Sequence, residues 1–162
     1  MNPAYKLNQH LVYPLQGVGE ITAIETRTFK GKEVLYYIIY LDISDMTIMV
    51  PTEKTEELGI RPIVSPEESI KALELLSVEY EPVVADWKMR YQMNLDLLKA
   101  GSVEDNATVV RTLYHRSKVK ELPIQERKLY DSALKILSDE LIYSLQKTKN
   151  EVEEMIFSKL EA

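Results

Sequence analysis

The side chains that could carry covalent or metal chemistry in this sequence are few. It holds two histidines, His10 and His115, and no cysteine; thiol nucleophiles, disulfides and thiolate zinc sites are excluded by composition, and a reducing, cytoplasmic setting fits best. The histidines fall in different segments without metal-ligand or triad spacing, and His115 lies amid basic residues as a surface group would. The paired acids Glu56-Glu57, Glu67-Glu68 and Glu153-Glu154 read as solvated or helix-capping charges. Gly17-Val18-Gly19 lacks the third glycine and the following helix of a dinucleotide loop, and no Gly-Lys-Ser/Thr phosphate loop occurs. No catalytic constellation can be drawn from these residues, so neither an enzyme nor a cofactor or metal is expected.

What remains is charge and one large aromatic. The formal charge of −6 argues against a partner held mainly by phosphate neutralisation. Its distribution points the other way: Arg111, Arg116, Lys118, Lys120, Arg127 and Lys128 face only Glu121 and Glu126 in the same stretch. That local excess straddles Pro123, a turn that could bring cations from two helices onto one phosphate-tracking surface. Trp87, the only tryptophan, would by burial tendency alone be read as a core anchor.

Two kinds of element must position these residues. From His10 to Thr52 the sequence is dense in Val, Ile, Tyr and Thr and broken by turn residues, which predicts four or five short strands in a small curled sheet or barrel of SH3 or Tudor type. Gly17-Val18-Gly19 and Lys30-Gly31-Lys32 read as turns, and Pro51 as a strand stop. Between them Glu20 to Phe29 alternates, with either Ala23 or Ile24 facing inward.

After Pro62 the pattern becomes helical. Ser65-Pro66-Glu67-Glu68 opens one helix, Asp86 caps a second that ends before Gly101, and Ser102 with Asp105 opens a third. Pro123 starts a long fourth helix, and the Thr148-Lys149-Asn150-Glu151 box a fifth. The stretch 78–85, with Pro82 inside, interrupts the first two. The expected class is α+β, with a Tudor/SH3-like β module over residues 1–64 and about five helices over 65–162. No signal peptide or membrane span is expected, since neither an apolar h-region nor a long apolar run occurs.

Several strings, in order, resemble the CarD/CdnL family of bacterial RNA polymerase-binding regulators, whose N-terminal module also occurs in the transcription-repair coupling factor. They are Val12-Tyr13-Pro14 with Gly17-Val18-Gly19, Ile24-Glu25-Thr26-Arg27, Asp45-Met46-Thr47-Ile48-Met49-Val50-Pro51, Gly59-Ile60-Arg61-Pro62, Asp86-Trp87 with Arg90-Tyr91, and Glu126-Arg127-Lys128. The resemblance implies a monomeric chain whose β module adds to the polymerase β subunit, with Thr26, Arg27, Ile48, Met49 and Pro51 at the contact. It implies a helical domain that touches promoter DNA weakly and without sequence specificity at the upstream edge of the transcription bubble.

In that picture Trp87 is a minor-groove wedge, and Lys88, Arg90, Arg111, Arg116, Arg127 and Lys128 meet phosphate. Departures stand at Met49, Met89 and Gln92, positions that are basic in some relatives; the first makes the polymerase contact there apolar, shifted or lost. The alternative reading from a different class is a protein-interaction adaptor that uses the same β module without touching DNA.

Overall fold

Hairpin geometry organises the N-terminal half. The computed structural model describes residues 3–79 and 86–162, and the chain divides into two units, Met1–Ile63 and Val64–Ala162. The first holds β1 (His10–Tyr13), β2 (Gly17–Phe29), β3 (Lys32–Leu41), β4 (Met46–Pro51) and β5 (Arg61–Pro62), all antiparallel in the order β4-β3-β2-β1-β5. Lys30 and Gly31 both take positive φ, 51° and 76°, the two left-handed residues of a turn whose twist matches the flanking strands. The segment Gly17–Gly19, expected as a turn, is instead the start of β2 and pairs with β1. The turn lies earlier, with the Gln16 N–H donating to the Tyr13 carbonyl and Leu15 at φ 68°. Gly19 is required by packing: a Cβ there would stand 2.7 Å from Ile39 Cγ2.

A bulge at Thr22 decides which residues face inward. Ile21 pairs with Ile39, but Ala23 pairs with Ile38, so the β2 register slips by one. An inserted residue reverses the side-chain alternation beyond it, and Ile24, not Ala23, joins the core with Leu11, Ile21, Tyr37, Ile39, Leu41, Val50 and Ile60. The hydroxyl of Tyr37, fully buried, accepts the Tyr5 N–H at 3.0 Å and so ties the N-terminal segment to the sheet.

The second unit holds α1 (Pro66–Leu75), α2 (Trp87–Ala100), α3 (Val103–Val119), α4 (Ile124–Leu145) and α5 (Lys149–Leu160). Each start but α4's has a side-chain cap: Ser65 accepts from Glu68 N, Asp86 from Met89 N, Ser102 from Asp105 N, and Thr148 with Glu151 closes a reciprocal box. Such caps satisfy amides that a helix leaves orphaned, each stabilising by about 1 kcal/mol. Gly101 ends α2 in the left-handed conformation.

Val109, Val110, Leu113, Ala133, Leu137, Leu141, Val152 and Ile156 form the centre of the helical core. Two polar ties run through it: the Ser69 hydroxyl donates to the Ser144 hydroxyl at 2.6 Å, and the fully buried Glu140 carboxylate accepts the Val64 N–H at 3.0 Å. The chain is thus a five-stranded antiparallel β module followed by five helices among the described residues, the α+β class expected. The interruption expected over 78–85 falls largely outside them.

Candidate functional site

Asp86 and the start of α2 set the position of Trp87. The Asp86 carboxylate accepts the Met89 amide at 2.9 Å, which fixes the first turn and presents Trp87 at its first residue. The indole is half-buried; it is not sealed in the core. It lines a shallow cleft of about 200 Å³ with Arg90, Arg116, Lys120, Glu121 and Pro123. α2 and the two sides of the α3–α4 turn therefore converge where the aromatic meets solvent. The basic residues around Pro123 do come together with Trp87, a proximity of segments about 30 residues apart that no local pattern encodes.

The cations divide into two sorts. Lys88, Lys120 and Lys128 are exposed, Arg116 is half-buried, and none of the four pairs with a carboxylate among the described residues. Lys88 Nζ stands 6.0 Å from the indole centroid, a loose cation–π contact that leaves the ammonium hydrated. The other arginines are less available. Arg90 is only 8% exposed and donates from Nη2 to Glu126 Oε1 at 2.8 Å, so its expected phosphate contact is corrected to an internal ion pair: the guanidinium cannot reach DNA without abandoning a buried carboxylate.

Arg127 is exposed, but its Nε lies 3.6 Å from Asp131 and its guanidinium 5.6 Å from the Tyr130 ring centroid. Arg111 is half-buried, its Nε out of solvent and without a hydrogen-bond acceptor among the described residues. Burial first, and the Arg111 charge second, hold His115 below its ordinary pKa of 6.5, so that imidazole is neutral at pH 7 and adds nothing to the basic surface.

Exposed apolar groups also lie on these segments. Val119 and Ile124, on either side of the turn, are 75% and 72% exposed, and Met89 and Met93 lie open on α2. Leu122, between Val119 and Ile124 in the same turn, is buried instead.

The β module presents a second candidate surface. Strand register puts Ala23, Glu25 and Arg27 of β2, Val34, Tyr36 and Ile38 of β3, and Met49 and Pro51 of β4 on the face opposite the core. Met49 is 45% exposed there. Arg27 donates from Nη2 and Nε to Glu25 Oε2 at 2.8 and 3.2 Å, an exposed pair that a partner's carboxylate could replace at little cost. Thr26 and Ile48 point to the other face, because neighbouring residues of a strand alternate between its two faces, and Ile48, expected at the contact, packs against the core beside Ile39.

Among the described residues of the module, the outer edge of β4 has no neighbouring strand, and beyond the Tyr36–Pro51 pair residues Lys32 to Leu35 have none on the β4 side. That notch is a cleft of about 290 Å³ lined by Lys32 to Leu35 and Pro51 to Glu53. Among the described residues no cluster of three metal-ligating side chains exists and no helix is long and apolar enough to cross a membrane.

Comparison with known proteins accounts for both halves. Residues 5–64 match the family model of the CarD-like/TRCF RID domain, and residues 71–157 that of the CarD C-terminal domain. The chain belongs to the CarD family. It is also 36% identical over 141 residues, 85% of this chain and 90% of the relative, to the Bacillus subtilis (strain 168) protein named "Putative transcription factor YdeB". This CarD-family chain is thus a CarD-like transcription factor in which the RID match coincides with the β module and the CarD C-terminal match with the helices around Trp87.

Proposed function

We propose that this CarD-like factor docks on the RNA polymerase β subunit through its β module and stabilises the promoter open complex through its helical unit. The observation that carries the reading is the accessible Trp87 indole in a cleft shared with Arg116 and Lys120. An apolar plate flanked by cations suits the distorted minor groove where upstream DNA begins to open: the plate unstacks a base step while the cations meet the phosphates on either side. Arg111, Arg127 and Lys128 would extend the basic surface, with Arg127 less available because of Asp131. The open edge of β4 and the notch beside Val34 suit addition of a strand from the polymerase, with Arg27, Met49 and Pro51 offering side chains from the outer face.

No chemistry is required of such a factor. Contacts made with the melted state and not with re-annealed duplex shift that equilibrium by their free energy alone. One base–aromatic contact of about 1 to 3 kcal/mol slows bubble collapse roughly 5- to 150-fold. With about four phosphate contacts, affinity for free DNA is feeble and insensitive to sequence, and tethering to polymerase supplies the effective concentration. Promoter choice is then indirect, set by how readily each open complex decays.

The exposed Val119 and Ile124 favour a second reading, in which the helices dock a protein and the chain is an adaptor. Promoter opening by purified polymerase with and without the factor, on promoters whose open complexes differ in stability, separates the two. The DNA reading predicts the largest gain on the least stable promoter; equal lifetimes with and without the factor on every promoter would leave the adaptor.

A further inference from the structure

The N-terminal half of α2 is held in an unusual way. Its buried stripe consists of Arg90, Asn94 and Leu98, so only the far end of the stripe is aliphatic. Toward the Trp87 end, beside the partly buried Tyr91 and Leu95 that also pack on the helical core, the Arg90–Glu126 ion pair joins α2 to the first turn of α4 across 36 residues. Glu126 is fully buried and its second oxygen, Oε2, has no hydrogen-bond partner among the described residues. A pair left partly unsatisfied in the interior stabilises a fold less well than apolar side chains of the same volume would. What it does supply is direction, because a guanidinium held by a carboxylate fixes orientation where aliphatic groups could slide.

Arg90 lies one turn after Trp87, and its side chain lines the same cleft. We infer that Arg90 and Glu126 are positioning residues for Trp87: their ion pair sets the rotation of α2 about its axis and so keeps the indole face turned into the basic cleft. The pair touches no DNA in this account. It rests on the proposed role of Trp87 for its consequence in transcription, though not for its geometry.

Trp87 is the only tryptophan, so its fluorescence in the full-length protein reports its surroundings directly. Arg90→Met and Glu126→Gln, each folded by far-ultraviolet circular dichroism, are expected to raise acrylamide quenching about twofold as the indole leaves its cleft. Each is also expected to shorten open complexes roughly fivefold relative to the parent while leaving polymerase binding unchanged. Arg90→Lys, which keeps the charge, should restore most of both signals. Unchanged quenching in folded Arg90→Met would overturn the inference, as would loss of helical signal in every variant, since the pair would then serve the fold alone. Altered quenching with an unaltered open-complex lifetime would uphold the positioning role and remove the wedge.

Discussion

The salt dependence of DNA binding can be worked from the cations around the cleft. Among the described residues Lys88, Arg116, Lys120 and Lys128 have no carboxylate partner, whereas Arg90 is spent on Glu126, Arg127 lies against Asp131, Arg111 is half-buried, and Lys118 stands 5.1 Å from the Tyr114 ring centroid. About four neutralised phosphates give a slope of about −3.6 for log affinity against log salt, or a loss of roughly 150-fold between about 50 and 200 mM. Had all seven of Lys88, Arg90, Arg111, Arg116, Lys120, Arg127 and Lys128 engaged phosphate, the slope would be about −6.3 and the loss roughly 6,000-fold. Fluorescence anisotropy of a labelled duplex, titrated with the protein at several salt concentrations, distinguishes these values. Lys120→Gln should flatten the slope by about 0.9, and Arg90→Met should leave it nearly unchanged. A slope near −6, or a flattening with Arg90→Met equal to that with Lys120→Gln, would refute the division into committed and available cations.

Arg27→Glu reverses the charge on the outer face of the module beside Glu25; retention of polymerase by the immobilised protein should fall at least about tenfold, and undiminished retention would move the docking surface elsewhere. Gly19→Ala forces a methyl to within 2.7 Å of the buried, branched Ile39; chemical denaturation should show a loss of about 1 to 3 kcal/mol, and a neutral variant would mean that the sheet yields there. In the Thr148 box the backbone hydrogen bond first and the side-chain one second hold the Glu151 carboxyl below its ordinary pKa. Its stabilising effect is therefore present above the ordinary carboxylate value and lost as pH falls through the lowered one. Glu151→Gln should be less stable than the parent at about pH 7, and the difference should shrink as pH falls below the ordinary carboxylate range, read by thermal melts; a difference independent of pH would contradict that assignment.

Local chemistry made much of the fold legible. Ser65, Asp86, Ser102 and Thr148 announce helix starts because a short polar side chain satisfies amides only two or three residues away, and each does so here. The face of a strand is a different matter. Whether Ala23 or Ile24 turns inward depends on a bulge opposite Ile38 and Ile39, and a bulge is a property of two paired strands. For the same reason Ile48 reads as an exposed contact until its pairing with Ile39 is known, and Gly17–Gly19 reads as a turn until Leu11 and Val12 pair with Gly19 and Val18.

At the site, the cluster around Pro123 and the single Trp87 were visible as residues, and their convergence on one cleft was not. Arg90 shows why. As a cation one turn into an amphipathic helix it suggests a phosphate contact, yet Glu126, 36 residues away, takes its charge inside.

The proposed action of the Trp87 plate, carried on a polymerase-bound scaffold, is to oppose re-annealing at the upstream fork. The most direct measurement is the lifetime of heparin-challenged open complexes with the parent protein and with Trp87→Ala, alongside polymerase binding by each. The account predicts that the parent lengthens the lifetime and that Trp87→Ala forfeits roughly 5-fold or more of that gain while binding polymerase as before. A Trp87→Ala protein that lengthens the lifetime as fully as the parent would contradict it.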